Sequence, residues 1–264
     1  MRRFVKAHAC GNDFLIIEGQ ADRDLALRLC ARNTGVGADG VEFLEWTGDR
    51  SGRIRLVNAD GSIAEISGNG TRCVAAWMAH QKSLPAGETI TLETDAGIRK
   101  SRLVQASGHR FDFAAGMGVP EVHDRQIILP DGTRVSGVAV STGNPHFVIF
   151  VDNDAFVSHG RNWQELGREI CSHTDFPEGA NVEFVRVIDT KRIAIRIFER
   201  GVGPTSSSGT GTCATAAATI ARHNGSTHLQ VQAPGGEQQV EWPALDAEMT
   251  LTGPAELLCI GETW

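Results

Sequence analysis

The fold is decided by two short stretches, Ser67-Gly68-Asn69-Gly70-Thr71 and Ser208-Gly209-Thr210-Gly211-Thr212. They are identical at all but the middle position and lie 141 residues apart. A motif that recurs at a fixed spacing indicates that a structural unit has been duplicated. One such match could arise by chance, so the argument depends on whether others follow in the same order.

Two other pairs of segments do follow that order. Val41-Glu42-Phe43 recurs as Val182-Glu183-Phe184, again 141 residues later. Gly11-Asn12-Asp13-Phe14 is similar to Gly143-Asn144-Pro145-His146-Phe147, at a spacing of 132. The smaller spacing implies a modest length difference between the copies. The sequence therefore predicts a tandem duplication.

The local patterns predict the same kinds of element in both copies. The basic N-terminal segment is typical of a first strand, and further β-rich segments end at Gly, Asp or Pro. These segments are 14–18, 53–59, 90–97, 109–116, 146–152, 181–188 and 193–201. Ala-rich helices are predicted after the glycine-rich repeats, at 71–82 and 212–223, and a second helix pair at 24–32 and 163–171.

These elements predict an α+β fold of two pseudo-symmetric halves. Each half is a curved, mostly antiparallel sheet around a central helix. We expect residues 1–117 to form the N-terminal half, together with a last strand at about 255–264. Residues 118–254 would form the C-terminal half.

Composition and charge do not favour nucleic acid, a membrane or a metal ion as a partner. The 264 residues carry a net charge of −7, which does not favour nucleic acid or an anionic membrane surface. No segment is apolar for long enough to span a bilayer, and the N-terminus does not have the pattern of a signal peptide. The six scattered cysteines indicate free thiols in a reducing compartment and no metal site. We expect a cytoplasmic protein.

The glycine-rich turns are candidate anion sites. Glycine allows the backbone to approach a ligand closely, and the first amides of a helix carry partial positive charge. A carboxylate could therefore bind at each turn, although a plain Ser N-cap would explain either turn alone. The Gly35–Gly40 stretch lacks the strand-then-helix setting of a dinucleotide site.

Duplication suits one kind of chemistry in particular. Inverting a carbon stereocentre without a cofactor needs one group to remove the Cα proton and another to deliver a proton to the opposite face. Two equivalent turns related by pseudo-symmetry can supply such a pair.

The motifs, taken together, resemble those of the diaminopimelate epimerase family. They occur in that family's order over nearly the whole chain: GNDF (11–14), TGVGADGV (34–41), NADGS (58–62), SGNGTRC (67–73), GNPH (143–146), FPEGANV (176–182), ERGVG (199–203) and SGTGTC (208–213). The resemblance implies two mirrored halves with a central cleft and an amino-acid substrate of lysine biosynthesis. It also implies no pyridoxal phosphate or metal, and makes a homodimer reasonable.

The resemblance also implies site residues. The catalytic positions would be Ser67 and Ser208, with His146 and Glu199 as polar groups near the reacting carbon. The substrate would be bound by Asn12, Asn58, Gly68, Asn69, Asn144, Asn181, Glu199, Arg200, Gly209 and Thr210.

The chain departs from the family at both proton-transfer positions, where Ser67 and Ser208 stand in place of cysteines. A thiol has a pKa near 8.5, whereas a serine hydroxyl resembles water at about 15–16. That gap of roughly 7 units adds on the order of 10 kcal/mol to forming the anionic base.

Cys73 and Cys213 follow the two serines inside the predicted helices and are interpreted as core residues. Pro204 also replaces an acidic residue of the family and removes a backbone donor.

Three interpretations remain open at this point. The chain could be an epimerase whose serines are activated by neighbours such as His146 and Glu199, or one in which both thiols were deliberately replaced. It could catalyse a related isomerisation, or eliminate water from a hydroxylated amino acid, with a single strong base. It could also bind an amino acid without catalysis.

Overall fold

The computed structural model describes residues 1–264. Its contacts divide the chain into two compact units. Unit 1 consists of Met1–Ala115 and Thr252–Trp264, and unit 2 of Gly116–Leu251. No helix in either unit has both the length and the apolar character needed to cross a membrane.

Unit 1 is a strand-rich unit built around one buried helix. Its helices are α1 (Arg23–Cys30) and α2 (Gly68–Lys82). Its strands are β1 (Arg3–Ala9), β2 (Asn12–Glu18), β3 (Gly40–Gly48), β4 (Ser51–Asn58), β5 (Ile63–Ala64), β6 (Thr89–Thr94), β7 (Gly97–Ser107) and β8 (Arg110–Gly116). The last strand, β17 (Thr250–Glu262), starts in unit 2 and pairs with β1 and β8 in unit 1.

Unit 2 contains the same kinds of element, with one strand more before its first helix. Its helices are α3 (Trp163–Cys171) and α4 (Gly209–Arg222). Its strands are β9 (Glu121–Ile128), β10 (Arg134–Ser141), β11 (Pro145–Val151), β12 (Asn181–Asp189), β13 (Arg192–Glu199), β14 (Gly203–Thr205), β15 (His228–Ala233) and β16 (Gly236–Glu241). The predicted α+β class and the two-unit repeat are confirmed.

Strand pairing repeats between the units down to the register. In unit 1, β2 runs parallel to β3 and places Phe14 opposite Gly40. In unit 2, β11 runs parallel to β12 and places His146 opposite Asn181. Gly40 and Asn181 are 141 residues apart, and Phe14 and His146 are 132 apart, which are the two spacings found in the sequence. The pairing β3–β4 likewise corresponds to β12–β13, and β4–β6 to β13–β15.

The core of each unit lies around its long helix. Residues on every face of α2 are buried, and they pack with the inward side chains of the surrounding strands in one apolar cluster. Helix α4 occupies the equivalent place in the cluster of unit 2. A helix that is apolar or small on all sides is typical of such an enclosed position. Cys73 and Cys213 lie in these two clusters.

Candidate active site

Both serines of the repeated turns are helix N-caps. Ser67 is extended (φ −124°, ψ 123°), and its Oγ accepts a hydrogen bond from the Gly70 amide at 3.1 Å. Ser208 is arranged in the same way, and its Oγ accepts from the Gly211 amide at 3.3 Å. Each cap satisfies one of the unpaired amides in the first helical turn, and the partial positive charge of that helix end remains available to an anion.

In unit 1, four side chains form one hydrogen-bonded group, and two of them, Asn12 and Asn69, are predicted site residues. Asn69 is buried, and its Nδ2 donates to Asn12 Oδ1 at 3.2 Å. Its Oδ1 accepts from the Arg72 guanidinium. Asn12 in turn donates to Asp39 Oδ2 at 2.6 Å. The structure therefore joins Asn12 to Asn69, and their contact with a substrate stays a prediction.

A charged network supports this group. Arg32 bridges Asp13 and Asp39 at 2.9 and 2.7 Å, and Lys6 reaches Asp13 at 2.9 Å. Burial on its own would raise the pKa of Asp13, but hydrogen bonds from Arg32 and Lys6 outweigh it and lower that pKa. Asp13 is therefore ionised, and the loop that carries Asn12 is fixed by ion pairs.

Asn58 has a local role in the structure. Its Nδ2 donates to Ser62 Oγ at 2.9 Å, and Asp60 accepts from both the amide and the hydroxyl of Ser62. Such contacts close an Asx-type turn. The hydrogen bonds of the Asn58 side chain stay within its own loop, so its predicted contact with substrate stays a prediction.

In unit 2, His146 is part of a buried polar chain. Its Nδ1 lies 2.7 Å from Glu183 Oε1, and its Nε2 lies 3.0 Å from Asn144 Oδ1. The side chains of His146 and Glu183 are fully buried. Burial raises the pKa of Glu183. The neighbouring His146 imidazole lowers that pKa, whereas the negative charge of Glu199 raises it further. The structure thus links two predicted residues, Asn144 and His146, to a buried glutamate.

The remaining predicted residues of unit 2 lie at strand and helix ends. Asn181 is buried at the start of β12, and its Oδ1 accepts from the Arg200 amide at 2.9 Å. The exposed Arg200 guanidinium donates to the Glu178 carbonyl. Glu199 is half-buried at the end of β13. Gly209 and Thr210 are the first two residues of α4. In unit 1, Gly68 is the first residue of α2.

Sequence reasoning did not single out Glu42 and Glu183, whose buried carboxyl groups lie next to Gly70 and Gly211 of the two turns. Glu42 is 1% exposed, neither carboxylate oxygen has a hydrogen-bond partner, and burial raises its pKa to about 8. The signal was present, because both occur in the repeated Val-Glu-Phe segment. A charged residue between two apolar ones in a buried strand points to a special environment.

Unit 1 has two shallow surface depressions. One is lined by Glu18, Trp46, Gly48, Asp49, Gln81 and Lys82. The other is lined by Asp49, Arg50, Ser51, Gly87, Glu88, Thr89 and Thr91. None of the predicted site residues line them. No group of three or more His, Cys, Asp or Glu side chains is arranged to ligate a metal ion.

A family model described as diaminopimelate epimerase matches residues 4–122 and 138–258. The chain belongs to the diaminopimelate epimerase family. Diaminopimelate epimerase of Desulforudis audaxviator is 37% identical over 96% of this chain and 96% of its own. The enzyme of Moorella thermoacetica is 34% identical over 96% and 95%. The family consists of isomerases of lysine biosynthesis.

Solved structures show the same fold at lower identity. A predicted epimerase from Pseudomonas aeruginosa superposes with a TM-score of 0.73 at 18% identity, covering 100% of this chain and 99% of that one. A PhzF-family phenazine biosynthesis protein from Bacillus anthracis gives a TM-score of 0.72 at 17% identity, with 100% and 99% coverage. Members of the diaminopimelate epimerase family thus share this architecture with more distant proteins.

Proposed function

We propose that this chain inverts the Cα of an α-amino acid without a cofactor, and that its substrate is diaminopimelate, converted from the LL to the meso isomer. The observation that carries the proposal is the repeated Ser-Gly-x-Gly-Thr turn, which caps the long helix of each unit in a chain of this family. The enzyme would work in the cytoplasm, and a homodimer is proposed from the resemblance.

Each turn would bind the substrate carboxylate and carry one proton-transfer group. The amides of Gly68 and Asn69, and of Gly209 and Thr210, would donate to the carboxylate, because first-turn amides have no partner within the helix. The side chains of Asn12, Asn58, Asn144, Asn181, Glu199 and Arg200 would bind the rest of the substrate.

Proton transfer is assigned to Ser67 and Ser208. One hydroxyl oxygen would take the Cα proton while the electron pair moves onto the substrate carboxylate, and the other would deliver a proton to the opposite face. A free hydroxyl ionises far above neutral pH, so each serine needs a neighbouring base. His146 and Glu199 supply polar groups for this purpose in unit 2.

Cα exchange in heavy water tests the proposal. The native protein is incubated with each diaminopimelate isomer in D2O, and deuterium at Cα is measured by mass spectrometry together with the isomer ratio. We expect deuterium to enter as the isomers interconvert, and S67A/S208A to lose both signals.

Two outcomes would replace the proposal. Elimination of water from a hydroxylated amino acid, without exchange into diaminopimelate, would assign a dehydratase. Saturable binding without exchange would assign an amino-acid-binding protein. S67C/S208C is the positive control, since activity only in that variant would show that the native serines do not support epimerisation.

A further inference from the structure

A chain of hydrogen bonds in unit 2 runs from a buried carboxyl group to a predicted substrate contact. Glu183 Oε1 lies 2.7 Å from His146 Nδ1, and His146 Nε2 lies 3.0 Å from Asn144 Oδ1. The Thr142 hydroxyl donates to the same Asn144 oxygen at 3.3 Å. The side chains of His146 and Glu183 are fully buried, whereas Asn144 is half-buried. Of Glu183, His146 and Asn144, only Asn144 therefore has surface open to a ligand.

The partners of His146 fix where its ring carries hydrogen. An amide oxygen only accepts, so the contact of Nε2 with Asn144 Oδ1 requires a hydrogen on Nε2. On the other side of the ring, one proton is shared between Nδ1 and Glu183. Burial is the main reason that the pKa of Glu183 is raised, and the negative charge of Glu199 raises it further, so the pair retains that proton. In this arrangement His146 is a hydrogen donor to Asn144 and not a base.

The same contacts fix the orientation of the Asn144 amide. Its Oδ1 accepts from both Thr142 and His146, which uses both lone pairs of that oxygen. The hydrogen bonds of the side chain thus all end on Oδ1. The Nδ2 group is therefore the end of the amide that is left to donate to an oxygen of a ligand.

Unit 1 fixes its counterpart asparagine by a different route. Asn12 corresponds to Asn144 in the repeated segment. Its Nδ2 donates to Asp39 Oδ2 at 2.6 Å, and its Oδ1 accepts from Asn69 at 3.2 Å. No imidazole occupies the place of His146 in unit 1. Both ends of the Asn12 amide are engaged within the protein, so the arrangement around Asn144 is particular to unit 2.

We propose that Glu183 is a positioning residue, which holds the His146 ring so that His146 orients the Asn144 amide with its N–H donors towards the substrate. This inference rests on the proposed function for its substrate and refines it. His146 acts through Asn144, which leaves Glu199 as the polar group proposed for unit 2 that can accept a proton.

The hydrogen positions are tested by ¹⁵N NMR of protein with labelled histidine. The His146 signals are assigned from their absence in H146Q. We expect a hydrogen on Nε2 of His146 at pH 7 in the native protein, and also in E183Q, because a glutamine amide can donate to Nδ1. An Nε2 without hydrogen in the native protein would overturn the inference, whatever the activity of the protein.

The orientation of Asn144 is tested by the Kd of diaminopimelate, measured by calorimetry. Methionine has about the length of glutamate but offers the His146 ring no strong hydrogen bond. We expect E183M to bind about tenfold more weakly than the native protein. E183Q is the matched control, because it loses the charge and keeps the hydrogen bond, and its Kd should stay within about twofold of the native value.

A second background separates positioning from a general loss of structure. N144A lacks the amide that Glu183 is proposed to orient, so E183M should cost no further affinity there. An equal loss in both backgrounds, or a loss in E183Q as large as in E183M, would overturn the inference while leaving epimerisation intact.

The proposed function is decided by a different measurement. If the native protein binds diaminopimelate but shows no Cα exchange, the proposed function fails, and the NMR and binding results still decide this inference. If the native protein does not bind diaminopimelate, both are overturned.

Discussion

Glu42 places a titratable group where water cannot reach it, and this affects the stability of the fold. Burial raises its pKa to about 8 from an ordinary value of 4.5. Between these two values the folded state holds a proton that the unfolded state has lost. Stability therefore falls as pH rises through this window, by up to about 1.4 kcal/mol per pH unit from this one group.

We predict that E42Q weakens this pH dependence. The Tm of the native protein should fall from pH 5 to pH 8, and the Tm of E42Q should fall less over the same range. Thermal unfolding across that range, followed by circular dichroism, measures both. Parallel curves for the two proteins would mean that Glu42 is not titrating in the folded state.

Ser67 has a structural role that can be separated from a catalytic one. Replacing an N-cap serine by alanine costs about 0.5–2 kcal/mol, whereas asparagine caps a helix as well as serine does. We predict that S67A is destabilised by about 1 kcal/mol, that S67N is nearly as stable as the native protein, and that both lose Cα exchange. S208N is the matched variant in unit 2. If S67N kept Cα exchange, the Ser67 hydroxyl would not be needed for proton transfer.

The first turn of α2 depends on the absence of a side chain at Gly70. Alanine there would drive its Cβ into Glu42 Oε1, and overpacking of this kind costs about 1–3 kcal/mol. Gly68 lies in the same turn, and the Cβ of an alanine there would have no neighbour within 4 Å, so G68A is the control. We predict that G70A is destabilised and loses exchange, and that G68A stays close to the native protein in stability.

The double variant G70A/E42A checks the cause of that loss. Removing the carboxyl group opens the space that the new methyl group needs. The loss in free energy of unfolding should therefore be smaller for the double variant than the sum of the losses for G70A and E42A. Denaturant unfolding of the four proteins measures the coupling. Simple additivity would show that the glycine is needed for a reason other than Glu42.

The bounds of the helices could be predicted from the sequence more closely than the contacts of the site residues could. Helix α3 begins and ends where the apolar pattern predicts, at Trp163 and Cys171. Helix α2 begins at Gly68, three residues before the predicted start, because the Ser67 cap draws the glycine-rich segment into the first turn. Strand β3 was not among the predicted strands, although it begins with five buried residues, as its predicted counterpart β12 does.

The environment of Glu42 could not be predicted from its immediate neighbours in sequence. Its environment is set by β2, β4 and the first turn of α2, which are separated from it along the chain. The repeat in the sequence marks the residue, but only packing shows that a glutamate faces a glycine. By contrast, the N-caps follow from local chemistry, because Ser before a helical segment caps it in most contexts.

The duplicated architecture repeats backbone pairing more faithfully than side chains. Strands β2–β3 and β11–β12 have the same register, but His146 in one unit is Phe14 in the other. The glutamate, the serine and the glycine between them are common to both units. The two units differ in the partner of the buried glutamate, because His146 lies against Glu183 in unit 2 and unit 1 has no imidazole at that position.

Unit 1 also depends on a strand from the far end of the chain. Residues of β17 pair with β1 from Arg3↔Glu262 to His8↔Glu256, and Ala255 and Leu257 are buried in the core around α2. Deleting 252–264 would remove those two side chains and expose the edges of β1 and β8. Burying a leucine side chain stabilises the folded state by roughly 1.5–3 kcal/mol. Losing the burial of Leu257 and Ala255 would therefore lower the free energy of unfolding by a few kcal/mol, on the order of the leucine term plus a smaller alanine term.

We therefore predict that this deletion unfolds unit 1 and leaves unit 2 largely folded. Hydrogen–deuterium exchange followed by mass spectrometry should show that amides of α2 lose protection, whereas amides of α4 keep it. Removal of Trp264 alone is the control, because that side chain is fully exposed. Equal loss of protection in both helices would mean that the two units unfold together, although the native protein has a separate apolar core around each helix.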